Sequence, residues 1–165
     1  MKPAYRAWLK GDKKMVLVLG WMSTAEGKGF IQVAPDRWIP VEDCVVMAGT
    51  GVRDAKGELS EEIFEGDILD TSYEDADESG TEWIESHDVV KYSHEYAWWY
   101  IAGSREDYPL SELVSKAIVI GNIYANPEIL AKIKDPDDRK ALEQELKENS
   151  PEDAFEYFLN FGARK

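Results

Sequence analysis

Apolar and polar positions alternate at the start of the chain. Tyr5, Ala7 and Leu9 fall on one side of an extended segment, and Arg6 and Trp8 on the other. The polar run Gly11-Asp12-Lys13-Lys14 reverses the chain, and Met15–Leu19 is apolar. This pattern predicts a β-hairpin over residues 4–19. Gly20 to Gly29 has no period and reads as a loop. Phe30–Val33 predicts a strand closed by Pro35-Asp36. Trp38-Ile39 reads as extended, with Pro40 keeping it out of the middle of a sheet.

The stretch at 46–68 organises the rest. Val45-Val46 reads as a strand that runs into Ala48-Gly49-Thr50-Gly51, where the glycines suggest turns. Arg53–Gly57 is polar and reverses the chain. Glu65-Gly66-Asp67 predicts a second tight turn, with Gly66 at positive φ and Asp67 bonded to nearby backbone N–H groups. Ile68-Leu69 then resumes a buried strand. Tyr73–Gly80 reads as an acidic loop, and Trp83-Ile84 as the start of a strand. Val89–Tyr92 and Ala97–Ile101 predict two strands around a turn at Ser93-His94-Glu95, on their β-branched and aromatic content. Pro109–Val114 predicts one short helical excursion. Ala117–Ile120 predicts a strand ended by Gly121-Asn122.

The character of the chain changes after residue 125. Asn126-Pro127, Asp135-Pro136 and Ser150-Pro151 each place a capping side chain before a proline. Such pairs open helices: the side-chain oxygen accepts an orphan N–H, and the proline ring already holds helical φ. They predict helices at about 127–134, 136–148 and 151–161. Phe155, Phe158 and Leu159 form an apolar stripe on the last. The middle one carries only Ala141, Leu142 and Leu146, the narrow stripe of a surface helix or of one that meets a partner. The expected fold is α+β: a β-rich domain over 1–125, built as small twisted sheets or a partly open barrel, and a helical segment over 126–165 packed on it or on a partner chain.

Composition fits this. The 165 residues include six Trp, eight Tyr and five Phe within a 44% hydrophobic chain, enough to build a core. No apolar run approaches the roughly 20 residues of a bilayer-spanning helix. The first residues lack the apolar stretch of a signal peptide, so the expected compartment is the cytoplasm. One cysteine, Cys44, allows no internal disulfide and no cysteine-rich zinc site. The net charge of −14 is uneven: residues 54–88 hold 14 Asp or Glu against the single Lys56. Direct nucleic-acid binding needs clustered Lys and Arg, and anionic membrane surfaces need the same. Neither partner is expected.

Three segments in this order resemble the YopX family of phage and prophage proteins. The first is Tyr5-Arg6-Ala7-Trp8 with Lys13-Lys14-Met15. The second is Gly49-Thr50-Gly51-Val52-Arg53-Asp54, Gly57 and Ile63-Phe64-Glu65-Gly66-Asp67-Ile68. The third runs from Val119 through Gly121-Asn122-Ile123-Tyr124-Ala125-Asn126-Pro127 to Leu130. The resemblance covers about residues 4–130. The stretch 57–63 looks longer than the family's turn, and the 70–88 segment more acidic. The resemblance implies a compact, β-rich, self-associating protein encoded by a phage. The signature positions it marks are Arg6, Trp8, Gly51, Asp54, Gly57, Glu65, Gly66, Asp67, Gly121, Asn122, Tyr124, Asn126 and Pro127. It implies no catalytic residues and no cofactor.

Candidate chemistry is sparse. Asp75, Asp77, Ser79 and Glu82 with Gly80 open like a calcium loop, but the twelfth position is Ser86 and Glu85 comes one place early. A solvated acidic loop is the simpler reading. His87 and His94 have no Cys or further His near them to complete a metal set, and read as surface histidines. Gly49-Thr50-Gly51 lacks the Gly-Lys-Ser/Thr ending of a phosphate loop. Tyr92, Tyr96, Trp98, Trp99 and Tyr100 could stack bases, yet Lys91 and Arg105 are the only basic residues nearby. Core packing plus an oligomer interface accounts for them with fewer assumptions. The expectation is a non-enzymatic accessory protein working through self-association or a host protein. Two alternatives are an acidic nucleic-acid mimic that inhibits a host DNA-binding enzyme and, behind it, a metal-dependent hydrolase.

Overall fold

The structure, a computed structural model, describes residues 4–77, 80–103 and 108–148. The fold is α+β and β-rich, with the longest described helix at Pro136–Glu148. Residues 4–49 form one compact unit, and Thr50–Lys147 a second.

The first unit opens with β1 (Tyr5–Leu9), β2 (Lys14–Leu17), β3 (Gly20–Ser23), β4 (Gly29–Ala34) and β5 (Arg37–Pro40). A 3₁₀ turn at Val41–Asp43 leads into β6 (Cys44–Arg53). β1 pairs antiparallel with β2 on one side and β6 on the other, while β3, β4 and β5 form a separate meander. The alternation in β1 is realised: Ala7 and Leu9 are buried with Ile31, Val41 and Cys44. The hairpin over 4–19 is present. The segment read as a loop from Gly20 is in part a strand, β3, because its backbone pairs with β4 and the Trp21 ring packs edge-on against Tyr5 at 5.6 Å. Pro40 sits on β5, which is an edge strand.

β6 does not turn at Gly49-Thr50-Gly51 as its glycines suggested. It continues to Arg53, absorbing Gly51 at φ +76. In the second unit a 3₁₀ turn at Gly57–Leu59 precedes β7 (Glu62–Phe64), which runs beside the end of β6. β8 (Asp67–Asp70) follows the Glu65-Gly66 turn. Then come β9 (Tyr73–Asp77), β10 (Gly80–Ile84), β11 (His87–Ser93), β12 (Trp98–Ala102), β13 (Tyr108–Pro109), helix α1 (Leu110–Leu113) and β14 (Ile118–Asn122). Pro127–Lys132, within the helix predicted at about 127–134, is a 3₁₀ helix, and α2 spans Pro136–Glu148. The helix predicted at 151–161 lies outside the described residues.

A five-stranded antiparallel sheet, ordered β13-β12-β11-β8-β14, carries the second unit. Adjacent residues on a strand face opposite ways. Ile68 and Leu69 on β8, and Val89 and Val90 on β11, are all fully buried, so both faces of the sheet are covered. Leu69 and Val90 pack with Ile63, Ile101, Leu110 and Ala117 on one face. Ile68 and Val89 pack with Ile123, Leu130, Ile133 and Leu142 on the other. This explains why the strands show apolar pairs where a half-exposed sheet would show alternation. The residues after 125 complete that second core through Leu130, Ile133 and Leu142. The acidic segment after Leu69 is a β-hairpin, β9–β10, and not a loop.

Candidate functional site

The later signature residues meet in one knot. Gly66 holds φ +76 in the β7–β8 turn. Asp67, wholly buried, accepts the Phe64 N–H through Oδ2 at 2.8 Å and the Asn122 Nδ2–H through Oδ1 at 3.2 Å. Asn122 Oδ1 accepts the Tyr124 N–H at 3.0 Å. Asn126 does not cap the turn it opens; its Oδ1 turns back to the Asn122 N–H at 3.3 Å. The Ile123 N–H donates to the Gly66 carbonyl, and the Gly66 N–H to that of Val90. Gly121 lies so close to Ile129 and Asn126 that a Cβ there would meet Ile129 Cδ1 at 2.7 Å. Pro127 starts the 3₁₀ helix.

Asp54 forms a second tie. Its carboxylate accepts N–H groups from Glu61 at 3.0 Å, Val119 at 3.1 Å and Lys56 at 3.4 Å. Burial works to raise this carboxyl, but the three backbone donors outweigh it and hold it below the usual range. The Val119 bond binds the Gly57 loop to β14, the edge strand of the large sheet, and occupies one of that edge's N–H donors. Arg6 and Trp8 lie on the central strand β1, opposite Met47 and Val45 of β6. The side chains of Asp54, Asp67, Asn122 and Asn126 thus serve the chain's own backbone.

Glu65 and Tyr124 are different. Glu65 sits in the turn beside Lys91 of β11 and Glu145 of α2, and its carboxyl has no hydrogen-bond donor among the described residues. Burial, opposed by Lys91 and assisted by Glu145, pushes it up to about 7. Lys91 Nζ forms an ion pair with Glu145 Oε2. The Tyr124 hydroxyl donates to Glu145 Oε1 at 3.3 Å, and burial, with the two carboxylates beside it, pushes the phenol's pKa up and holds it protonated. Two carboxyls, one ammonium and one phenol are therefore gathered where β11, α2 and the β7–β8 turn meet. A near-neutral carboxyl beside a charge partner has the electrostatics of a proton-exchanging group. No motif announced the cluster; the only signal was that Glu65 and Tyr124 both fell on signature positions.

The other candidates are dispersed. Register sets Asp75 opposite Glu82 across the β9–β10 ribbon. Ser79 lies outside the described residues, and Asp77 ends β9. Among the described residues no group of three or more His, Cys, Asp or Glu is arranged to hold a metal ion. His87 is buried, contrary to its surface reading, with Nε2 3.8 Å from Glu85 Oε1. His94 is exposed and packs edge-on against Tyr92 at 5.3 Å. The aromatic cluster divides. Trp99 packs on the first core with Tyr92 at 5.0 Å. Tyr96 and Trp98, 5.7 Å apart, stand 64% and 43% exposed at the end of the β11–β12 hairpin. No described helix is long and apolar enough to cross a membrane.

Fold and knot define a β-rich α+β protein whose marked residues lock a turn to the strand end beside it. The chain belongs to the YopX protein family, which matches it over residues 4–131. Among solved structures it is similar to protein EF1440 from Enterococcus faecalis, with a TM-score of 0.51 and 22% identity over 78% of this chain and 98% of that one; at this identity the likeness concerns the fold. No curated protein matches the sequence.

Proposed function

We propose that this protein is a phage or prophage accessory factor in the host cytoplasm. It acts through protein–protein contacts, by self-association or on a host protein, and not by catalysis. The observation that supports the reading is the exposed pair Tyr96 and Trp98. Aromatic side chains are enriched in protein interfaces and dominate their energetics, and leaving them in water has a cost that a partner would remove. Likeness to the YopX family supports the phage origin. The test is the mass of the purified protein by light scattering, together with affinity capture from infected host cells, for wild type and Tyr96→Ser/Trp98→Ser. The reading requires an oligomer or a captured protein that the double variant loses. A monomer that captures nothing overturns it.

The β9–β10 ribbon favours a second reading, the nucleic-acid mimic. Glu74, Asp75 and Glu82 are exposed on it, with Asp75 paired beside Glu82 on one side of the ribbon and Glu74 on the other. The Asp75–Glu82 pair offers a negative patch to a phosphate-binding groove. Neutralising Glu74, Asp75, Asp77 and Glu78 would then abolish a salt-sensitive association with a DNA-binding enzyme. An association unchanged by that variant rules mimicry out.

A further inference from the structure

We propose that Glu65, Lys91, Tyr124 and Glu145 form a proton-linked latch that fastens α2 to the large sheet, tight when Glu65 is protonated and slack when it is ionised. Helix α2 carries a narrow apolar stripe: Leu142 is buried in the second core, and Leu146 packs partly against it. Its N-terminus is secured independently of the latch. Asp135 Oδ1 caps the Asp137 and Asp138 N–H groups, and the Asp135 N–H donates to the Gly103 carbonyl. Beyond Leu142 one polar attachment runs through Glu145, which takes the Lys91 ammonium on one oxygen and the Tyr124 hydroxyl on the other.

Glu65 lies beside those same groups, because the next residue, Gly66, donates its N–H to the Val90 carbonyl and accepts the Ile123 N–H, the chain neighbours of Lys91 and Tyr124. Lys91 comes from β11, Glu145 from α2 and Tyr124 from the segment after β14. Asp67, two residues on, points its carboxylate at the Phe64 N–H and at Asn122. When Glu65 is ionised, two carboxylates share one ammonium in a partly desolvated place, leaving a net negative charge. The repulsion falls on Glu145, the member carried by the helix. When Glu65 takes up a proton the cluster is neutral, the Lys91–Glu145 pair is undivided, and the Glu65 O–H becomes a donor. Burial in this corner, where Glu145 already holds Lys91 and Tyr124, pushes the Glu65 carboxyl up to about 7, so pH changes around neutrality move the latch between these states. Opening it would uncover the apolar site that Leu142 and Leu146 cover.

The test is amide hydrogen exchange of residues 136–148, corrected for intrinsic exchange, from about pH 6 to about pH 8. Wild-type protection in α2 should fall roughly tenfold across that range while β8 and β11 hold theirs. Glu65→Gln, a neutral isostere, should keep α2 protected throughout. NMR titration of the Glu65 side-chain carboxyl in the unaltered protein gives a second readout that needs no variant. It should show a midpoint near neutrality shared by the α2 amides. Protection in α2 that does not change with pH, a Glu65→Gln profile that follows wild type, or a Glu65 midpoint near 4.5 would each overturn the latch.

Discussion

Asn122 Nδ2 donates to Asp67 Oδ1 at 3.2 Å in the protein interior, joining residues 55 apart in sequence. The bond ties the β7–β8 turn to the end of β14. Through Phe64 and Tyr124 it fixes the backbone on either side. Asp67→Ala removes the acceptor for both the Phe64 N–H and the Asn122 amide. It should destabilise the protein by about 2–4 kcal/mol, since two buried hydrogen bonds to a carboxylate are lost together. Urea unfolding of the two proteins measures the difference. A loss under about 1 kcal/mol would show that the knot contributes little.

Gly66 and Gly51 share φ +76 and differ in their surroundings. A Cβ at Gly66 would lie 3.3 Å from Asn122 Nδ2 and 3.5 Å from both Ile123 and Tyr124, whereas nothing lies within 4 Å of one at Gly51. Gly51→Ala should cost only the left-handed backbone strain of about 1–2 kcal/mol. Gly66→Ala should cost that and the displacement of the knot. The order of the two melting temperatures decides it; equal losses would mean that crowding at Gly66 is irrelevant.

Two carboxyls shape the pH profile with opposite signs. Glu65 is raised on folding, so its contribution is fully present below its ordinary value of 4.5 and is lost as pH rises through about 7. Asp54 is lowered, so its contribution is present above 3.8 and is lost as pH falls through its depressed value. Thermal unfolding of Glu65→Gln should match or exceed wild type above pH 7 and lose the advantage in acid. Asp54→Asn should be destabilised by about 1–3 kcal/mol at neutral pH, because its amide cannot accept all three N–H groups. A Glu65→Gln difference that grows toward acid would reverse the assigned sign.

Cys44 is buried, with its sulfhydryl directed at the Val41 carbonyl, and burial pushes the thiol up to about 12. The thiolate is the reactive form. The native protein should therefore leave a thiol-directed chromogenic disulfide unreacted, and release one equivalent of thiol only in denaturant. Rapid reaction of the folded protein would contradict this placement.

The sequence carried the fold best where local chemistry and tertiary pairing agree. Tyr5–Leu9 alternates because one face of β1 is buried. Asp135-Pro136 opens α2 as capping chemistry requires. It misled where pairing overrode composition. Glu74, Asp75 and Asp77 favour no strand, yet Tyr73–Asp77 is one because β10 lies beside it. Gly20 hid β3, and Gly49-Thr50-Gly51 hid the continuity of β6. Asn126 had the right neighbour for a cap but found the nearer Asn122 N–H. The Glu65 cluster was invisible for a different reason. Lys91 and Glu145 are 54 residues apart, and only the folded sheet and helix bring their charges together.

Trp98 and Tyr96 test the proposed action through protein contacts most directly. Tyr96→Ser/Trp98→Ser removes two exposed rings at a hairpin end and should leave the melting temperature nearly unchanged. The decisive measurement is the solution mass of this variant beside wild type, with capture from infected cells in parallel. The account predicts a wild-type oligomer or captured protein that the variant loses while staying folded. An association indifferent to both rings, or a monomer that captures nothing, would contradict it.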